Sequence, residues 1–186
     1  MIPTNRLFTF IAPLLFISCV LFSLTNTAFA GTFWVSPTGA STWDNCQSAT
    51  PLSGTAACAY RTANINATAG DTIFYRGGTY AGITGSAINP TNTGTAGNVI
   101  TFSAYNNESV EFIGSGLSSM AVNLDSEYNT VRSYIKVTGF KFTDFMQHLW
   151  IRKGTHNEVS YCTFLGFPAG ATATDNVDGA VSESID

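Results

Sequence analysis

Sliding residues 135–145 forward by twenty-two positions places Val137 on Val159, Thr138 on Ser160, Phe140 on Cys162, Phe142 on Phe164 and Phe145 on Phe167. A spacing of this size fits one coil of short strands and turns, and such a coil cannot bury its apolar side alone. It predicts a stack of coils, a single-stranded parallel β-helix, with Val, Phe and Cys pointing inward in ladders along the axis. Parallel crossovers favour right-handed winding. The competing explanation is chance similarity between two strand-rich stretches.

The rest of the composition agrees with an all-β chain. Charged residues are 11% of the sequence, whereas Thr, Asn, Ser and Gly are plentiful and aromatic residues recur. That mixture favours strands and turns over amphipathic helices. The first thirty residues stand apart. Arg6 precedes an apolar run from Leu7 to Leu24, a polar triplet Thr25-Asn26-Thr27 follows, and Ala28-Phe29-Ala30 is a small-x-small site. This is the layout of a secretory signal peptide cut after Ala30. The apolar run is nearly long enough to span a bilayer, but Pro13, the small-residue site and the lack of following basic residues argue against a membrane anchor. A lipoprotein cut at Cys19 would leave Val20-Leu21-Phe22 where a polar tether belongs. The chain is therefore expected to be secreted, extracellular or periplasmic, with no stable membrane anchor after cleavage. Removing 30 of 186 residues leaves 156, and losing Arg6 from eight basic side chains leaves seven against twelve acidic ones. Sparse, scattered basic residues are not the footprint of a nucleic-acid binder.

Turn signals divide the exported part. Residues 31–69 read as an N-terminal strand (32–36), a loop containing Cys46 and Cys58, and one helix over 59–69 with Ala59, Ala63 and Ala67 on one side. Export to an oxidising compartment permits a Cys46–Cys58 disulfide; two free thiols are the alternative. Residues 70–186 read as strands and turns, beginning with strand 72–76 stopped by Gly77-Gly78. After a Gly/Thr/Asn loop come strands at 99–104 and 110–113. Cys162 lies in a strand-like run, where a buried small apolar residue is the ordinary reading. No Cys/His cluster has zinc spacing.

Three stretches, Phe33-Trp34-Val35-Ser36-Pro37-Thr38-Gly39, the run from Ala69 to Tyr80 containing Gly70-Asp71-Thr72-Ile73, and Gly94 to Tyr105, resemble in order and spacing the opening of right-handed parallel β-helix proteins of the pectate-lyase-like superfamily. Gly154 to Phe164 resembles that superfamily's coil pattern, in which Asn ends a turn and a Cys-x-Phe pair points inward. The resemblance implies that helix 59–69 caps the open end of the β-helix, an otherwise sticky sheet edge. Within the superfamily, Arg76-Gly77-Gly78-Thr79-Tyr80 and Asp175-Asn176-Val177-Asp178-Gly179-Ala180 are similar to family 9 polysaccharide lyases, with Val177 in place of the usual Ala. That resemblance implies calcium as cofactor, Asp178 as a calcium ligand, and an acidic, pectin-like polysaccharide as substrate.

Such lyases remove the proton beside a uronate carboxylate and expel the glycosidic oxygen. Calcium held by several carboxylates neutralises the developing charge, and a basic side chain takes the proton. One aspartate does not hold calcium alone. The resemblance places the other ligands and the catalytic base in later coils, so the chain is expected to be an N-terminal fragment, inactive by itself and truncated where a new coil is starting, either with Val181-Ser182 repeating Val159-Ser160 or with Gly179 to Ser184 matching His148 to Lys153. The catalytic residues are left unassigned.

His148, Arg152, Lys153 and His156 flank Leu149-Trp150-Ile151. An outward-facing subset, with His148 and Arg152 binding substrate and Trp150 as a stacking platform, would line a saccharide groove. The alternative turns Trp150 into the core and leaves the charges solvated. Asp125, Glu127 and Asp144 are either cation ligands or solvated turn residues, and Asp175 either a turn residue or a ligand. Two functional classes follow: a secreted uronate lyase, or a non-catalytic β-helix serving as an adhesin or carbohydrate-binding stalk.

Overall fold

A computed structural model describes residues 30–115, 119–125 and 132–166. Residues 1–29, where the signal peptide is expected, and the segment containing Phe167, Asp175 and Asp178 lie outside the described residues.

The described chain is mostly β. Its strands are β1 (Thr32–Val35), β2 (Thr72–Tyr75), β3 (Gly78–Ile83), β4 (Ser86–Ile88), β5 (Ile100–Ala104), β6 (Val110–Gly114), β7 (Met120–Asp125), β8 (Ile135–Thr138), β9 (Phe140–Thr143), β10 (Gln147–Arg152), β11 (Glu158–Ser160) and β12 (Thr163–Leu165), and its one α-helix is α1 (Tyr60–Asn66). Three sheets run β1-β2-β5-β8-β11, β3-β6-β9-β12 and β4-β7-β10. Every pairing between these strands is parallel. From β2 onward the chain visits the three sheets in the same rotation.

Stacking in register makes the core. In the first sheet Ile73 lies beside Phe102, Phe102 beside Val137 and Val137 beside Val159. In the second, Tyr80, Phe112, Phe142 and Phe164 align; Phe142 stacks on Phe112 at 5.5 Å and on Phe164 at 5.2 Å between ring centroids. Ile88, Val122 and Leu149 align in the third. Neighbouring circuits supply the burial that no single circuit has.

The twenty-two-residue spacing holds for the last circuit, where Ser160 bonds Thr138 and Asn157 bonds Ile135, both 22 residues away. Earlier circuits are longer, because loops between strands differ while the strands stay in register. Sharp bends are met by left-handed backbone at Asn106, Asn107, Gly139 and Tyr161. Gly154 is required by close approach: a Cβ there would lie 2.0 Å from the Arg132 carbonyl oxygen.

Two expectations are corrected. Residues 78–88, read as loop after Gly77-Gly78, contain β3 and β4; pairing with β6 and β7 supplies the register that their weak strand propensity does not. The helix ends at Asn66 because the following backbone has other partners: Asn92 Nδ2 donates to the Ala67 carbonyl at 2.9 Å, and Thr68 N donates to Asp71 Oδ2 at 2.8 Å. α1 packs against β4, the edge strand of its sheet, where Asn64 Nδ2 donates to the Ala87 carbonyl at 2.9 Å.

Candidate functional site: the outer face of β7 and β10

The register of β10 on β7 decides what reaches the surface. Leu149 and Ile151 pack against the core beside Val122 and Leu124. Side chains alternate along a strand, so Trp150 and Arg152 lie on the opposite face, beside Asn123 and Asp125. The reading that turns Trp150 inward is therefore corrected. A slip of one residue would exchange the two aliphatic side chains for an indole and a guanidinium, which the core cannot accommodate.

Arg152 is held by Asp125 through a two-pronged pair, Nε to Oδ1 at 2.9 Å and Nη2 to Oδ2 at 2.6 Å. Both side chains keep some exposure, 35% for Arg152 and 17% for Asp125. The Arg152 guanidinium lies 5.2 Å from the centroid of the Trp150 ring. Held in this way through Nε and Nη2, the planar guanidinium lies beside the aromatic surface of Trp150. Arg132 joins the group from the preceding turn: its Nη1 donates to the Asp125 carbonyl and its Nε to the Pro90 carbonyl at 2.7 Å. Burial lowers the Arg132 pKa and Asp125 opposes that shift. Sequence reasoning missed Arg132, whose alignment with this site depends on how two circuits stack.

Compared with protein-family models, curated proteins and solved structures, the chain matches none.

His148, at the start of β10, is engaged differently. Its ring lies 5.5 Å from that of Phe164, and Nε2 is 3.0 Å from the Gly166 carbonyl oxygen. A carbonyl only accepts, so Nε2 carries the proton and is not the nitrogen that would serve as a base. His156 stacks on Tyr134 at 4.5 Å, and Lys153 is an exposed residue in left-handed backbone. The site thus joins Trp150, Arg152, Asp125 and Arg132, while His148 and His156 contact other rings.

Cys46 and Cys58 form a disulfide with both side chains buried. Burial raises the Cys162 thiol pKa, and its Sγ lies 3.4 Å from the Ser160 carbonyl.

Among the described residues, no group of three or more His, Cys, Asp or Glu could hold a metal ion. Asp125 is bound by arginine, and Asp144 is an exposed turn residue with φ 58°. Asp178, Asp175 and Glu127 lie outside the described residues. No helix among the described residues is long and apolar enough to cross a membrane.

Proposed function

We propose that this chain is a secreted, polysaccharide-active protein whose described residues wind as a right-handed parallel β-helix of the pectate-lyase-like kind, with α1 covering its first edge. The rotation of strands through three parallel sheets supports the winding, and the preference of parallel crossovers supplies its hand. The carrying observation for function is the outer face of β10, where Trp150 and Arg152 stand together, the guanidinium fixed by Asp125. An indole packs against the apolar face of a sugar ring, and the adjacent guanidinium attracts a uronate carboxylate. The favoured ligand class is an acidic polysaccharide.

The activity proposed for the protein is β-elimination on uronate chains. The described residues contribute substrate binding to it. Calcium dependence rests on the resemblance at Asp178, not on the geometry of β7 and β10. The test is to incubate the full-length secreted protein with polygalacturonate and other uronate polymers and follow the absorbance of unsaturated product, with calcium and with chelator. The expected result is product that chelation abolishes. No product from any uronate polymer would overturn the lyase reading; binding without product would assign the non-catalytic, carbohydrate-binding role.

A further inference from the structure

Asp71 is 2% exposed, yet no lysine, arginine or histidine pairs with it among the described residues. Its donors are all neutral. Gly31 N donates to Oδ1 at 2.9 Å, and Thr68 donates to Oδ2 from its backbone N at 2.8 Å and its hydroxyl at 3.0 Å. A buried carboxylate without a cation is costly even when hydrogen-bonded. Gly31 is also held from its other side, because Thr72 N donates to the Gly31 carbonyl at 2.9 Å. There is little room for a side chain at Gly31: a Cβ would come within 2.4 Å of the Phe33 ring. Ala30, one residue earlier, is exposed.

The cleavage site read from the sequence falls on the bond between these two residues. We infer that removal of the leader creates the missing cation: the new α-ammonium of Gly31 forms an ion pair with Asp71, so that export and folding of the first circuit are coupled. Hydrolysis by the host's signal peptidase adds water across the Ala30–Gly31 bond. Ala30 leaves with the carboxylate, and the amine remaining on Gly31 takes up a proton. The nitrogen already stands at hydrogen-bond distance from Oδ1, so the charge arrives in a prepared site. Asp71 and Thr68 hold the mature N-terminus, and through it β1 against β2.

The inference rests on cleavage after Ala30 and is independent of the polysaccharide reading. Its test compares four exported proteins: the wild type, a form with two serines inserted between Ala30 and Gly31, Asp71→Asn, and the double variant. The insertion leaves the peptidase site in place but moves the ammonium away from Asp71. N-terminal sequencing of the secreted wild type is expected to start at Gly31. The insertion is expected to lower Tm by at least about 3 °C in the wild type and by much less in Asp71→Asn. An unchanged Tm, an equal loss in both backgrounds, or a mature chain starting elsewhere would overturn the proposal. If Asp71→Asn does not accumulate, reductive methylation decides: the native wild-type α-amine should react several-fold more slowly than that of the insertion form, and equal rates would contradict the ion pair.

Discussion

The first and last described circuits are held together by different means. Around β1 and β2, Val35, Cys46, Cys58, Ile73 and Tyr75 are fully buried, a disulfide closes the loop, and Arg76 reaches across to Glu108 and to the Leu52 carbonyl. Around β11 and β12, Val159, Cys162 and Phe164 are only half-buried, while Leu165 is 43% and Tyr161 91% exposed. The last circuit depends on repetition: Val on Val, Ser on Thr, Phe on Phe. The first circuit adds a loop and a covalent link to its strand pairing, with α1 packed on β4.

This contrast can be broken most strongly at the aromatic ladder. Phe112→Ala, at a fully buried position, is expected to cost about 3–5 kcal/mol in urea unfolding, and Phe164→Ala roughly half as much, because its ring is already partly solvated. Equal losses would show that the middle of the ladder and its last rung are packed alike. Replacing Cys46 and Cys58 together by serine is next in size, at about 3 kcal/mol by the entropy of the loop they close; Cys162→Ser should cost less. Asn157→Ala sharpens the picture of the last circuit. Its side chain accepts from Ile135 N and donates to the Arg132 carbonyl, so its loss should cost about 1–3 kcal/mol.

The smallest effect is electrostatic. Hydrogen bonds from Arg76, Lys141 and Lys136 lower the pKa values of Glu108, Glu111 and Glu158 in the folded protein from an ordinary 4.5. Below that value the unfolded chain binds more protons than the folded one, so the stabilisation is present at neutral pH and is lost as pH falls through the depressed values. The three pairs link neighbouring circuits at the surface, so replacing these glutamates by glutamine should flatten the acid limb of a Tm-against-pH curve and leave most of the stability at pH 7.

How far the sequence was readable follows the same division. The last circuit announces its period because short turns keep Val137/Val159 and Phe142/Phe164 at a constant spacing. Loops of unequal length hide that period in the earlier circuits, and β3 and β4 become strands only through pairing. At the candidate site, Arg152 was legible as a charge beside an aromatic residue. The outward placement of Trp150 was not, since alternation leaves two phases open until Leu149 and Ile151 find Val122 and Leu124. Arg132 reaches the Pro90 carbonyl and Asp71 meets Gly31 N, each forty or more residues away, and those contacts exist only once the circuits have stacked.

The claim that joins fold to function is that the outer face of β10 meets an acidic polysaccharide. Affinity electrophoresis of the purified protein in gels containing polygalacturonate or a neutral galactan tests it directly. The account predicts that polygalacturonate retards the wild type and galactan does not, and that Trp150→Ala loses the retardation while keeping its thermal transition. Equal migration in the two gels, or full retardation of a folded Trp150→Ala protein, would contradict it.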